Sequence, residues 1–318
     1  MTERPTQLLG PTQGRWLGWL GHPVRYLATK AETGGRYCIS TAPVHAGGGA
    51  PPHRHDFGEG FYVLDGRVEF TAGSQRVVLS KGEFIHITGG TVHFRRALVD
   101  SQLLTIAAPT GFDQFQIEAG EELAEEASPL NKTVDQILND VHAIAREYGI
   151  DMNPPPDASK ADPQIHVARL DDGDIVDAVG DRYRFLAESE QTGGTYAICG
   201  ATISPGGGPP LHTHSLEDEA FYVLNGEIRF EADGKEFVGK PGAFVNLPSG
   251  SRHRFSNQSH RAAEVLILVA PAGLEAMFRK TGQLVTDITR TINSSQDDEK
   301  KQLVEIAPMC GVELFPKD

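Results

Sequence analysis

The chain has 318 residues with 39% hydrophobic and 23% charged side chains, a composition suited to a folded protein long enough for two separate cores. Its 29 Lys and Arg against 43 Asp and Glu leave a formal net charge of −14, which repels a phosphate backbone and argues against nucleic acid as a partner. Three cysteines without a CxxC pair, no leader pattern at Met1–Pro5 and no apolar run near the ~20 residues of a membrane span point to a cytoplasmic protein with no membrane partner.

Residues 1–22 read as irregular, with Trp16 and Trp19 placed to cover one end of a β domain. From Val24 onward, short β-type runs alternate with turns: Val24–Leu27, Tyr37–Val44, Phe61–Leu64, Arg67–Thr71, Gln75–Leu79, Phe84–Ile87, Val92–Arg95 and Leu103–Ala107. Asp65-Gly66, Ala72-Gly73 and Lys81-Gly82 punctuate them, as in an antiparallel sandwich or barrel. The period then changes. Val134, Ile137, Leu138, Val141, Ile144 and Ala145 recur at helical spacing, with a capping box at Thr133 and Gln136 and a stop at Gly149. Residues 151–165 are proline-rich without apolar pattern and read as a linker.

After that linker the first half repeats. Thr192-Gly193-Gly194 answers Thr33-Gly34-Gly35 at an offset of 159, and Phe221–Gly226 answers Phe61–Gly66 at 160. Ala307 and Gly311 answer Ala145 and Gly149 at 162, so the helical tail recurs too. The expected organisation is therefore an N-terminal β domain with helical tail over 1–150, a linker over 151–165, and a second copy over 166–318.

Each copy carries a glycine-proline loop that ends in His-x-His, followed by a glutamate and, past a later turn, a third histidine. These are His53, His55, Glu59 and His93 in the first copy and His212, His214, Glu219 and His253 in the second. Alternate strand residues share a face, so each His-x-His can aim two nitrogens at one point. Three neutral imidazoles and a carboxylate suit a divalent transition metal, one per copy, whether Fe, Mn, Ni, Co, Cu or Zn. A closed structural zinc site would more typically use thiolates, and no cysteine lies near either cluster.

The two motifs, G-x5-H-x-H-x3/4-E-x6-G and G-x5-P-x-G-x2-H-x3-N, resemble those of the cupin superfamily. The second is complete in copy two, with Pro248 and Asn257, whereas copy one has Thr88 and Ala97 at those places. The resemblance implies a mainly β bicupin, two jelly-roll β-barrels in tandem, each followed by a helical segment, with the eight residues as metal ligands. Cupin domains commonly pair, which implies a homodimer.

Among bicupins the layout most resembles the quercetin 2,3-dioxygenase-like group, through the longer His-to-Glu spacer of copy two and the Pro271–Phe278 segment. That likeness implies a phenolic or enolic small-molecule substrate, molecular oxygen as co-substrate, and Glu59 or Glu219 as catalytic base. The rival readings are a metal-containing barrel that binds a small molecule without turnover and an oxalate decarboxylase-like enzyme. Against the latter, Ala50 and Pro209 stand where bicupin decarboxylases place an arginine, three residues before the first ligand histidine. Outside the ligand set, His86 is expected as a satisfied core or rim histidine, Arg95 in a rim salt bridge and His142 in solvent. Phe61, Phe70, Phe221 and Phe230 are expected in the two cores.

Overall fold

The computed structural model describes residues 4–155, 165–286, 292 and 296–315. The chain divides into two compact units, residues 14–171 and the remainder, each built of two antiparallel sheets. In the first unit, an eight-stranded sheet runs in the order Glu121–Leu123, Arg15–Trp19, His22–Ala28, Cys38–Val44, Ser101–Ala108, Gly58–Asp65, Phe84–Ile87, Ile165–Ala168. A four-stranded sheet of Gly49–His53, His93–Ala97, Arg67–Ala72 and Gln75–Ser80 faces it. Period-2 alternation drives this pairing, because inward residues of one sheet (Phe61, Val63, Ile85) bury themselves against those of the other (Val68, Phe70, Leu79). The second unit repeats the plan with eight and five strands, and Phe221 meets Phe230 and Phe255 in its core. The sheets are open rather than closed into hydrogen-bonded barrels.

The units begin and end away from the boundaries expected from the repeat. The strand Gln7–Leu9 lies along Phe244–Leu247 in the second unit, and Ile165–Ala168 lies along Phe84–Ile87 in the first. Gln7 faces Asn246 and His166 faces His86, so the opening strand of each copy completes the sheet of the other. Most of the expected linker, residues 156–164, falls outside the described residues. Nor is the stretch before Val24 irregular: Arg15–Trp19 is a strand paired with His22–Ala28, and Trp19 meets Phe115 edge-on at 5.6 Å.

The tails pack on their own units. The helix Val134–Ile144 starts at the Thr133–Gln136 capping box and continues as a 3-10 turn to Tyr148, where Gly149 (φ 69°) ends it. Ile137, Val141 and Ala145 are buried against Leu17, Trp19, Tyr26 and Phe115, and His142 is exposed. In the second unit Leu303, Ala307 and Val312 cover Ala197, Val269, Leu274 and Met277 in the same way. Ile137→Ala is expected to cost the first unit about 2–5 kcal/mol, as buried aliphatic truncations do, while His142→Ala stays within about 0.5 kcal/mol. Chemical denaturation compares the two directly, and equal effects would mean that the tail is no part of the core.

Candidate metal centres

In each unit the ligand-bearing segments are brought together by a close backbone approach. Gly49 has φ 159° and a Cβ there would lie 1.9 Å from the Arg95 carbonyl oxygen; at Gly208 (φ 113°) it would lie 2.1 Å from that of Phe255. Only glycine lets the incoming loop cross so near the strand that carries the third histidine. As a result His53 pairs in register with His93, and His212 with His253. Glu59 and Glu219 come from the long central strands Gly58–Asp65 and Asp218–Asn225, at the second position of each.

The eight predicted residues form two groups, and within each the ligating atoms all lie within 4.8 Å of one another. All eight are buried, Glu59 completely. In the first centre the Nδ1 atoms of His53, His55 and His93 face the carbonyl oxygens of Pro51, Phe57 and Thr91 at 2.8, 2.9 and 2.9 Å. A carbonyl only accepts, so each Nδ1 carries a proton, and the tautomer this selects has its Nε2 lone pair aimed inward, ready for a cation. His55 Nε2 lies 3.2 Å and His93 Nε2 2.9 Å from Glu59 Oε2, while the buried Oε1 has no hydrogen-bond partner among the described residues. Burial and the neighbouring His93 push the His53 pKa well down, so the ring is neutral. Burial opposes charge on Glu59, but any proton that His55 or His93 holds on Nε2 outweighs it and keeps the carboxyl well below its usual range.

The second centre is built alike, with differences. His212 and His253 direct Nδ1 at Pro210 and Ser251 oxygens, at 2.9 and 3.0 Å. His212 and His214 bring their Nε2 atoms within 3.1 Å, and burial lowers the His212 pKa to about 3. His214 Nδ1 has no carbonyl partner; the Glu217 carboxylate lies 3.9 Å away. The extra spacer residue causes this change. In the shorter spacer Phe57 turns back, stacks on the His55 ring at 3.7 Å and supplies its carbonyl, whereas Leu216 of the longer spacer points to solvent. Glu217 and Phe57 were not singled out from the sequence, although the unequal spacers marked the place.

Three lone pairs and a carboxylate packed together are mutually repulsive without a cation, and the set of three imidazoles and one carboxylate fits a divalent transition ion. Each unit thus holds one candidate metal site, and Glu59 Oε1 is a spare oxygen donor in the first. The departures at Thr88 and Ala97 leave the scaffold intact. Gly90 N donates to the His55 oxygen as Gly250 N does to that of His214, and Ala97 keeps the backbone bonds to Gly47 and Gly48 that Asn257 makes to Gly206 and Gly207. What Ala97 lacks is the Asn257 side chain, which donates to the Ile203 and Arg261 oxygens.

His86 is buried beside Gly58, on the strand face opposite Ile85 and Ile87, and belongs to no metal group. Arg95 departs from expectation. Among the described residues its side chain forms no rim salt bridge; the guanidinium lies over the Phe61 ring at 5.0 Å and Nε is buried without a partner there. Beside the second centre a cavity of about 50 Å³ is lined by His212, His214 and Glu219 together with Asp181, Tyr183, Phe255 and the tail residues Leu303 and Val312.

Comparison with known proteins agrees with this architecture. The Cupin domain family matches residues 41–106 and 201–269, one segment in each unit. The quercetin 2,3-dioxygenase of Bacillus subtilis is 26% identical over 273 residues, 80% of either chain. Among solved structures, an oxalate decarboxylase from Bacillus subtilis superposes with a TM-score of 0.56 at 17% identity, covering 86% of this chain and 77% of that one. A Lactobacillus farciminis oxalate decarboxylase gives 0.55 at 14% identity, covering 86% and 88%. At such identities the likeness to solved structures is one of fold. His53→Ala and His212→Ala are each expected to remove one bound ion per chain, and His86→Ala none, as measured by elemental analysis after dialysis. Loss of both ions from either single variant would show that the two sites are not independent.

Proposed function

This chain is a bicupin of the cupin superfamily with a candidate metal centre in each domain, and from that we propose that it is a metal-dependent enzyme acting on a small oxygen-donor substrate, in the manner of oxalate decarboxylase-like bicupins. The observation that carries this reading is the size of the cavity at the second centre. About 50 Å³ holds a few heavy atoms, whereas pockets for drug-sized ligands run to ~300–1,000 Å³. A flavonol belongs to the second class and would extend into the cleft of about 930 Å³ that shares Gly208, Pro209, Phe255 and Leu303 with this cavity.

A bound divalent ion would act as a Lewis acid on a substrate oxygen. The protein's share of the work is positional. The carbonyl-locked histidines His53, His55, His93, His212 and His253 hold their rings in fixed tautomers. Glu59 and Glu219 supply negative charge and, where the substrate arrives protonated, the nearest acceptor for its proton. Leu274, Met277, Leu303 and Val312 exclude water from the second centre, which strengthens every polar contact inside it.

The second reading is a dioxygenase of flavonol-like substrates with molecular oxygen. Its support is the 26% identity to a quercetin 2,3-dioxygenase over 80% of the chain. The full chain, loaded in turn with Mn, Fe, Co, Ni, Cu and Zn, is expected to release carbon dioxide from oxalate or a related small acid. The paired Glu59→Gln, Glu219→Gln variant should lose at least about a hundredfold of that rate. Oxygen-dependent loss of quercetin absorbance, with no turnover of small acids, would contradict the proposal in favour of the dioxygenase.

A further inference from the structure

The two centres share ligands but not surroundings. The turns Leu20-Gly21 and Val179-Gly180 both adopt left-handed backbone, with φ 48° and 85° in one and 52° and 84° in the other. They align His22 of the first unit with Asp181 of the second. The third ligand histidines, His93 and His253, likewise align Arg95 with Phe255. Asp181 and Phe255 both line the cavity that opens on His212, His214 and Glu219. In the first unit the same two positions therefore hold a histidine and an arginine.

Arg95 is an uncommon arginine. It lies two residues beyond the ligand His93, about 6.6 Å along the strand on the same face, and its guanidinium covers Phe61, which lies two residues beyond the ligand Glu59. Among the described residues its side chain makes no hydrogen bond and no ion pair, although it is only partly exposed and its Nε is wholly buried. Burial and the Arg95 charge hold the neighbouring His22 down at about 4, so that ring is neutral, and the carboxylate that acts on Arg95 is the ligand Glu59, whose charge a bound ion would share. A guanidinium whose Nε is buried without an acceptor costs free energy until one meets it, and its planar fork matches a carboxylate. In the second unit Phe255 sits in the apolar cluster with Phe221 and Phe230 and offers no such contact.

We infer that Arg95 is the anchor for an anionic, carboxylate-bearing ligand at the first metal centre, and that the second centre, with Phe255 in its place, has no such anchor beyond its ion. This rests on the reading that both centres hold an ion and admit a small ligand, and it names the ligand class of one of them. The proposed ligand reaches the ion with one oxygen and Arg95 with its carboxylate. Binding costs less because the guanidinium is already held on Phe61.

The test uses the full chain with cobalt(II) as both ion and reporter, and titrates oxalate and its uncharged isostere oxamide by calorimetry and by the cobalt visible spectrum. His212→Ala leaves only the first centre loaded and His53→Ala only the second. At the first centre oxalate is expected to bind much more tightly than oxamide, and Arg95→Gln or Arg95→Phe should weaken oxalate by about ten- to a hundredfold, with oxamide and cobalt content unchanged. Arg95→Lys should restore part of the loss, because charge returns without the fork. At the second centre the Arg95 variants should leave oxalate affinity unchanged. Unchanged oxalate affinity in both Arg95→Gln and Arg95→Phe, with cobalt retained, would overturn the inference, as would equal binding of oxalate and oxamide by the first centre. The readout is binding, so a failure of catalysis with small acids would strike the proposed enzymatic activity and not this assignment.

Discussion

The arrangement on which the rest of the structure depends is the convergence of three imidazole lone pairs and one carboxylate inside an otherwise apolar fold. Each unit buries four such groups with their ligating atoms within 4.8 Å. Left to themselves the nitrogens repel one another and the carboxylate has lost its water. The protein does not relieve this by separating them. It fixes five of the six rings by their outer nitrogens to backbone carbonyls, so the inner nitrogens stay bare and aimed at a common point. Such a site is organised for a cation, and the opposing sheets supply the rigidity to hold it.

That rigidity starts in ordinary sequence features. A glycine at position 49 or 208 admits a backbone approach no other residue tolerates, and this sets the register that faces His53 with His93 and His212 with His253. Alternation along Gly58–Asp65 then sends Glu59 inward with Phe61 and Val63. The helical tail closes the arrangement, since Val312–Leu314 lies beside His212–His214 and the main-chain bridge from Asp151 meets Arg54 between His53 and His55. Fold and centre are therefore one construction, made twice. The differences lie in what surrounds the ligands: a stacked Phe57 and an unpaired Arg95 in one unit, a nearby Glu217 and an apolar Phe255 in the other.

Much of this was legible in the sequence because it depends on local rules. The duplicated His-x-His motif, the strand from Phe84 to Ile87 and the Thr133–Gln136 cap all follow from spacing and hydrogen-bonding chemistry within a few residues. What escaped depends on distant pairing. Nothing local to Gln7–Leu9 says that it will lie against Phe244–Leu247, and the Trp16 region became a strand only because His22–Ala28 was there to pair with it. Arg95 was expected in a rim salt bridge; its place over Phe61, with Glu59 as the nearby carboxylate, arises from neighbours on another strand. The preference for a flavonol-type substrate came from family likeness, and cavity size is not written in a motif.

The central claim is that each unit binds one divalent ion through three imidazoles and a carboxylate. X-ray absorption fine structure of the fully loaded chain tests it most directly. Zinc as the probe should give two ions per chain, each with about three imidazole nitrogens near ~2.0–2.1 Å, further oxygen scattering and no sulfur. Zinc bound with one imidazole or none, or through sulfur, would contradict the account.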